Sequence, residues 1–235
     1  MYHGQWNPPV DEVLLRNYFS TRVTPGVLLE CGACDGVLGA SGLFFEESLN
    51  WQCINLEPSP DTFALLARNR PLAINLPYAL HMVTGPVNFM DVVAAYNHEG
   101  YGEGSLGISE LHQFRLYQRQ IPTRTTTVHG ITYFDLLTTL TLSELNLMVL
   151  DIEGGEIEVL RSMRGAPILP QVLCVEYPLH NWAELLTTVA DLGLSFDFAS
   201  YNNAFFSATG PLLPDRLYGN TGIMTIPQIE AAARV

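Results

Sequence analysis

Short apolar runs that end in a carboxylate alternate along this chain with segments whose apolar residues recur at helical spacing. Four such runs are Val27-Leu28-Leu29-Glu30, Cys53-Ile54-Asn55-Leu56-Glu57, Leu147-Met148-Val149-Leu150-Asp151 and Val172-Leu173-Cys174-Val175-Glu176. Their length and flanking turn residues suit strands buried on both faces of a parallel sheet. The intervening segments read as helices. Val13, Leu14, Leu15, Tyr18 and Phe19 mark one over 10–19; Leu43, Phe44, Phe45 and Leu49 mark another over 39–50, with Glu46 and Glu47 directed outward. Ser59 as N-cap, Pro60 at the first helical position and Asp61 start a third, which buries Phe63, Leu65 and Leu66. Residues 133–140 and 156–163 follow the same period. Asn181 with Glu184 resembles a capping box for a last helix, which Gly193 ends.

Weaker strands are expected at 73–80, interrupted by Pro77, at 85–92 and at 123–129. Residues 195–201 and 204–207 read as a hairpin joined through Asn202-Asn203. This alternation predicts an α/β, Rossmann-like fold: a mostly parallel central sheet, helices on both faces and a C-terminal antiparallel hairpin. A chain of 235 residues is ample for one such domain and tight for two, so 1–235 is expected to be a single domain with 1–26 as a helical lead-in. Residues 1–9, with Pro8-Pro9, look irregular. Residues 94–126 break the pattern, with Gly100, Gly102, Gly104 and Gly107 interleaved with Tyr96 and Tyr101. An excursion of that length reads as a substrate or lid insertion, with a plain surface loop as the alternative.

Composition narrows the function. Apolar residues make up 48% of the chain and charged ones 15%, which is a core-forming balance. The net charge of −13 argues against nucleic acid as partner, because affinity for a phosphate backbone comes from Lys and Arg displacing counterions. No apolar run is long enough for a membrane span, and the polar, proline-bearing start is no signal peptide, so a cytoplasmic location is the expectation. All four cysteines fall in or beside strands of one sheet. Cys31 and Cys34 have the C-x-x-C spacing of a redox pair or half a zinc site. No second pair or histidine cluster supplies the other ligands, and small buried thiols are the plainer reading.

Strand-end carboxylates point at the rim where open α/β sheets bind ligands. Glu30, Glu57, Asp151 and Glu176 should therefore crowd one edge, which is costly unless cations, hydroxyl donors or protons compensate. A ligand with positive charge and a vicinal diol, such as S-adenosylmethionine, would do so. A dinucleotide is the competitor, but its fingerprint needs three glycines. Here there are Gly32 and Gly36 only, and Glu30 ahead of the turn would repel a pyrophosphate. Both glycines are expected to leave room for a ligand beside the backbone.

Taken together, Glu30-Cys31-Gly32-Ala33-Cys34-Asp35-Gly36, Leu56-Glu57-Pro58-Ser59-Pro60 with Asn69-Arg70, and Leu150-Asp151-Ile152-Glu153-Gly154-Gly155-Glu156 resemble the motifs of the FkbM-like family of S-adenosylmethionine-dependent methyltransferases. The resemblance runs from about Val10 to Ser207. The chain departs from the family at Ser41-Gly42, where Ser-Asn is common, and at Cys34, where Asn is common. The resemblance implies a class I methyltransferase fold and a cofactor site made of Glu30, Gly32, Ala33, Gly36, Ser41, Glu57, Pro58, Ala79, Leu80, Asp151 and Ile152. Glu30 with the Gly32-Ala33 backbone would face the methionine end, Glu57 the ribose hydroxyls, and Ala79-Leu80 the adenine. Asp151, Ile152 and Glu153 would border the transferred methyl.

Methyl transfer is an in-line displacement, so positioning is the larger part of its catalysis. A hydroxyl acceptor also benefits from a general base. Asp151, Glu153 and His180 are the catalytic candidates, with Glu176 beside them and His129 weaker. No metal ligand set is expected, although Asp151, Glu153 and Glu176 offer the oxygen ligands that Mg²⁺ takes. The expected activity is O-methylation of a small molecule or sugar, a preference that comes from the resemblance. N-methylation on the same fold, or a non-catalytic interaction module, are the rivals.

Overall fold

The computed structural model describes residues 1–93, 101–106, 114, 116–176 and 181–219. Ten strands are present among them: β1 Val27–Cys31, β2 Gln52–Leu56, β3 Ile74–Leu76, β4 Tyr78–Leu80, β5 Gly85–Val92, β6 Thr123–Ile131, β7 Leu147–Leu150, β8 Val172–Glu176, β9 Ser195–Ser200 and β10 Asn203–Ser207. Seven form one sheet in the order β3-β2-β1-β7-β8-β10-β9. Pairing is parallel from β3 through β8, whereas β10 runs antiparallel to both β8 and β9. This is the expected Rossmann-like α/β architecture with its C-terminal hairpin.

Both faces of the sheet are covered, which explains the near-continuous apolar strands. The two-residue period sends Leu29, Ile54, Met148 and Leu173 to one face. There they meet α4 (Tyr133–Leu140), α5 (Glu156–Ser162) and α6 (Trp182–Ala190) through Tyr133, Leu136, Ile157, Leu160, Leu185 and Val189. Leu28, Cys53, Leu147 and Cys174 face the other way, onto α1 (Val10–Leu14) and α2 (Leu43–Leu49). Each fully buried Leu or Ile contributes roughly 1.5–3 kcal/mol relative to an exposed one. The helical period over 10–19 holds for burial, but α1 widens into a π-helix at Leu15–Phe19. The buried Asn17 there donates to the Val13 carbonyl and pairs through both side-chain atoms with Tyr218.

Three local expectations change. The stretch around Pro77 is two strands: β3 closes the large sheet, and β4 joins β6 and β5 in a separate three-stranded sheet. Proline has no N–H to continue a ladder, so the chain leaves one sheet for the other there. α3 (Pro60–Asn69) starts after Ser59 as expected, but the Ser59 side chain makes no cap bond. Its backbone N–H donates instead to Glu57 Oε1. Asn181 likewise makes no side-chain cap, and its supposed box partner Glu184 is ion-paired with Arg161.

Candidate functional site

The carboxyl ends of β2, β1, β7 and β8 and the start of β10 lie side by side under a cavity of about 670 Å³. That is within the usual range for small-molecule sites. All four strand-end carboxylates, Glu30, Glu57, Asp151 and Glu176, line it, and so does Glu153. Ala33, Ser41, Pro58, Ala79, Leu80 and Ile152 also reach it, as the motifs imply.

The β1–β2 half is built by backbone amides. Gly32 and Ala33 both donate to the Leu56 carbonyl at 3.0 Å, which pins the turn after β1 to the end of β2. Gly32 has φ +83°, and a Cβ there would lie 1.7 Å from the Asp151 carbonyl oxygen. The absent Cβ makes room for protein atoms at both Gly32 and Gly36, and the expectation that Gly36 leaves space for a ligand is corrected. Gly32 admits the chain after β7, and a Cβ on Gly36 would lie 2.6 Å from Arg70 and Leu66 side-chain carbons. Gly32 lines the cavity, but Gly36 does not reach it.

Glu57 is 7% exposed and accepts from the Cys34 N–H at 2.9 Å and the Ser59 N–H at 2.8 Å. Burial outweighs those donors and pushes its pKa up to about 7. Glu30 accepts from the Ser41 N–H at 2.7 Å and the Gly42 N–H at 3.1 Å, with Arg70 Nη1 4.0 Å away. Burial raises its pKa, while Arg70 and the two amides oppose the rise. The buried Arg70 guanidinium also donates to Glu46 at 2.7 Å and to the Gly36 carbonyl at 3.2 Å. Glu46 is thus turned inward, contrary to the outward placement read from the helical pattern. A Cβ at Gly42 would sit 2.8 Å from Glu30 Oε2, so glycine at this position makes room for the Glu30–Arg70 pair.

The β7–β8 half is made differently. Glu153, Gly154 and Gly155 have φ of +57°, +118° and +96°, three successive left-handed residues that swing the chain sharply off β7. No atom lies within 4 Å of a Cβ at Gly155, so glycine is required there by conformation. The buried Glu156 carboxylate ties the turn down by accepting from Gly154 N–H at 2.8 Å and Ile152 N–H at 3.3 Å. As a result one carboxylate oxygen from each of Asp151, Glu153 and Glu176 falls within 4.8 Å of the others. Burial pushes the Asp151 pKa well above the usual carboxylate range, and Glu176 and Glu153 beside it add to the rise. The Asn202 side chain donates to Glu176. Among the described residues, no Lys or Arg lines the cavity.

Part of the 94–126 excursion belongs to this site. Tyr101, Gly102, Glu103, Gly104 and Leu106 line the cavity, and Ser105 Oγ donates to the Glu153 carbonyl at 2.8 Å. Residues 94–100 and 107–113, like the candidate base His180, lie outside the described residues. His129 is exposed on β6 against the Tyr78 ring and does not line the cavity. All four cysteines are free, and burial pushes Cys34 and Cys53 up to about 12, which leaves them as unreactive thiols.

Several lining residues carried no sequence signal. His3, Gly4, Gln5 and Trp6 come from the segment read as irregular, and Asn202-Asn203 from a pair read only as a hairpin turn. Asp91 arrives on β5, where it pairs with Arg124. Among the described residues, no helix is long and apolar enough to cross a membrane.

The methyltransferase FkbM domain model matches residues 30–189, more than half of the chain. No curated protein matches the sequence. Similar solved structures include methyltransferase FkbM from Methylobacillus flagellatus KT, at 10% identity and TM-score 0.49 over 83% of this chain. This chain spans about half of that protein's length, 47%. Another is precorrin-6y C5,15-methyltransferase from Geobacter metallireducens GS-15, at 11% identity and TM-score 0.43, covering 84% of this chain and 85% of the other. Neither likeness is strong enough to carry an argument about chemistry.

Proposed function

Because the chain belongs to the methyltransferase FkbM family, we propose that the rim cavity binds S-adenosylmethionine and directs its methyl group to a hydroxyl oxygen of a small molecule or sugar. The observation that carries this reading is Glu57: a buried carboxylate at the end of β2, aimed by two backbone N–H groups, next to the turn that Gly32 and Ala33 make with Leu56. A carboxylate so fixed suits a ribose diol, whose two hydroxyls donate to its ionised form. The cofactor supplies a methyl group on a sulfonium, already activated toward displacement.

The chain's own residues then position and desolvate. Ala79 and Leu80 at β4 offer a buried apolar surface for the adenine. Glu30 holds the Ser41 and Gly42 amides, and so the loop beside the methionine end. At the other half, the hydroxyl proton of the acceptor passes to a carboxylate oxygen of the Asp151–Glu153–Glu176 group. The elevated proton affinity of Asp151 suits it to keep that proton. On this reading 1–235 is one catalytic domain, with 101–106 shaping the acceptor side and with no metal needed.

Incubation with S-adenosylmethionine and a panel of alcohols, sugars and amines tests the reading by mass spectrometry. Methylated hydroxyls with stoichiometric S-adenosylhomocysteine are expected. Methylation confined to amines would move the assignment to nitrogen, and a pure, folded chain that binds no cofactor would be the interaction module instead.

A further inference from the structure

Residues 1–29 lie before the family match, yet the beginning of the chain forms a wall of the cavity. Three contacts hold that wall. Gly4 bridges to Gly39 in the loop between β1 and α2. The buried Asp11 carboxylate accepts from the His3 N–H at 2.7 Å and from the Glu12 N–H at 3.0 Å. Trp6 stacks on Tyr201, with ring centroids 4.8 Å apart and planes 8° from parallel, and the Tyr201 hydroxyl donates to the Asn7 carbonyl at 2.6 Å. Trp6 lines the cavity while 45% exposed, whereas Trp51 and Trp182 are buried. A large ring fixed by stacking on the cavity wall offers its remaining surface to whatever the cavity holds.

The sheet order says which end of the cavity this is. Tyr201 and Asn202 form the turn into β10, which lies four strand steps from β2 and Glu57. At a spacing of about 4.8 Å per strand, that is roughly 19 Å along the rim. If Glu57 takes the ribose, Trp6 stands at the acceptor end. The same end holds Glu153, Glu176, Asn202 and Asn203, with no Lys or Arg lining any part of the cavity among the described residues. An aromatic face stacks on the C–H face of a ring or on a cation, and carboxylate and amide oxygens accept from hydroxyl and amine donors. Among the described residues that line this end, the charged side chains are those of Glu153 and Glu176, which would repel a phosphate or carboxylate on the ligand.

We infer that Trp6, backed by Tyr201, is the acceptor-selecting residue, and that it takes a hydroxyl-bearing ring, neutral or amine-bearing, while excluding anionic acceptors. This rests on the methyltransferase reading, so the test separates the two. The full chain is first titrated with S-adenosylhomocysteine, which examines the cofactor site alone; absence of binding overturns the proposed function and this inference with it. The saturated protein is then probed by saturation-transfer NMR with methyl glucopyranoside, glucosamine and glucuronate. The first two should bind at least tenfold more tightly than glucuronate. Trp6→Ala should weaken them at least tenfold while S-adenosylhomocysteine affinity stays within about twofold, and Trp6→Phe should recover part of the loss. Equal binding of glucuronate, no binding of either of the other sugars, or sugar affinity untouched in Trp6→Ala with cofactor binding intact would overturn the inference.

Discussion

The two halves of the rim use the same residue type in opposite ways. At β1–β2, every carboxylate is met by fixed donors: Glu57 by the Cys34 and Ser59 amides, Glu30 by the Ser41 and Gly42 amides with Arg70 behind. At β7–β8, Asp151, Glu153 and Glu176 face one another, and mutual repulsion joins burial in raising the Asp151 pKa. A carboxylate held by amides is an acceptor of set direction, which suits binding. A carboxylate crowded by others has proton affinity to spare, which suits chemistry. The halves are joined by the β1–β7 ladder and by the Asp151 N–H donating to the Cys31 carbonyl at 3.1 Å, and just beyond that bond the Gly32 turn passes so close to the Asp151 carbonyl that no Cβ fits.

That contact gives the largest expected effect. Gly32→Ala places a carbon 1.7 Å from a backbone oxygen, so the turn or β7 must move. Soluble yield or thermal stability should collapse, and a normal melting curve with normal cofactor affinity would break the account of the junction. Next is the half proposed to carry the chemistry. Asp151→Asn preserves shape but removes the proton site, and should lower kcat by about 10²–10⁴-fold, the range for a general base, with S-adenosylhomocysteine affinity within about twofold. An unchanged kcat would sever Asp151 from the reaction. Loss of activity in EDTA with recovery in Mg²⁺ would turn the three carboxylates into metal ligands; retained activity is expected.

Arg70→Met tests the support beneath the binding half. It leaves the buried Glu30 and the half-buried Glu46 without their cation, and breaking a buried pair costs about 3–5 kcal/mol. Chemical denaturation should register it, and a loss below about 1 kcal/mol would demote the pair to decoration.

The smallest expected effect is the pH dependence of cofactor binding. Glu57 is raised from 4.5 to about 7, so it is protonated below that pH and ionised above it. The diol needs the ionised form, so affinity should fall as pH drops through 7, by up to tenfold per unit, and level off above. The stability term has the opposite sense: the folded state binds this proton more tightly than the unfolded chain does. That stabilisation is full below pH 4.5 and is lost as pH rises through about 7. Affinity rising toward acid pH would contradict the ribose role.

The parallel core was legible because strands buried on both faces leave continuous apolar runs, and their terminal acids marked the rim. Pro77 was legible as an interruption but not as a change of sheet, since Ile74–Leu76 and Tyr78–Leu80 are equally apolar. At Ser59 and Asn181 the residue type is right for a cap but neither side chain accepts from its helix, and the groups beside them are engaged elsewhere. Glu57 took the Ser59 amide and Arg161 took Glu184. Glu46 showed only a helix-surface position in sequence, because its buried partner Arg70 lies 24 residues away. The N-terminal wall was invisible for a related reason: Trp6 gains its role from stacking on Tyr201, which no local pattern encodes.

The central claim is that the amide-held Glu57 binds the ribose of S-adenosylmethionine, and calorimetric titration of S-adenosylhomocysteine into the wild-type chain and Glu57→Ala at pH 8 tests it most directly. The account predicts saturable binding to the wild type and an affinity at least tenfold weaker in a folded Glu57→Ala; equal affinities, or no binding to the wild type, would contradict it.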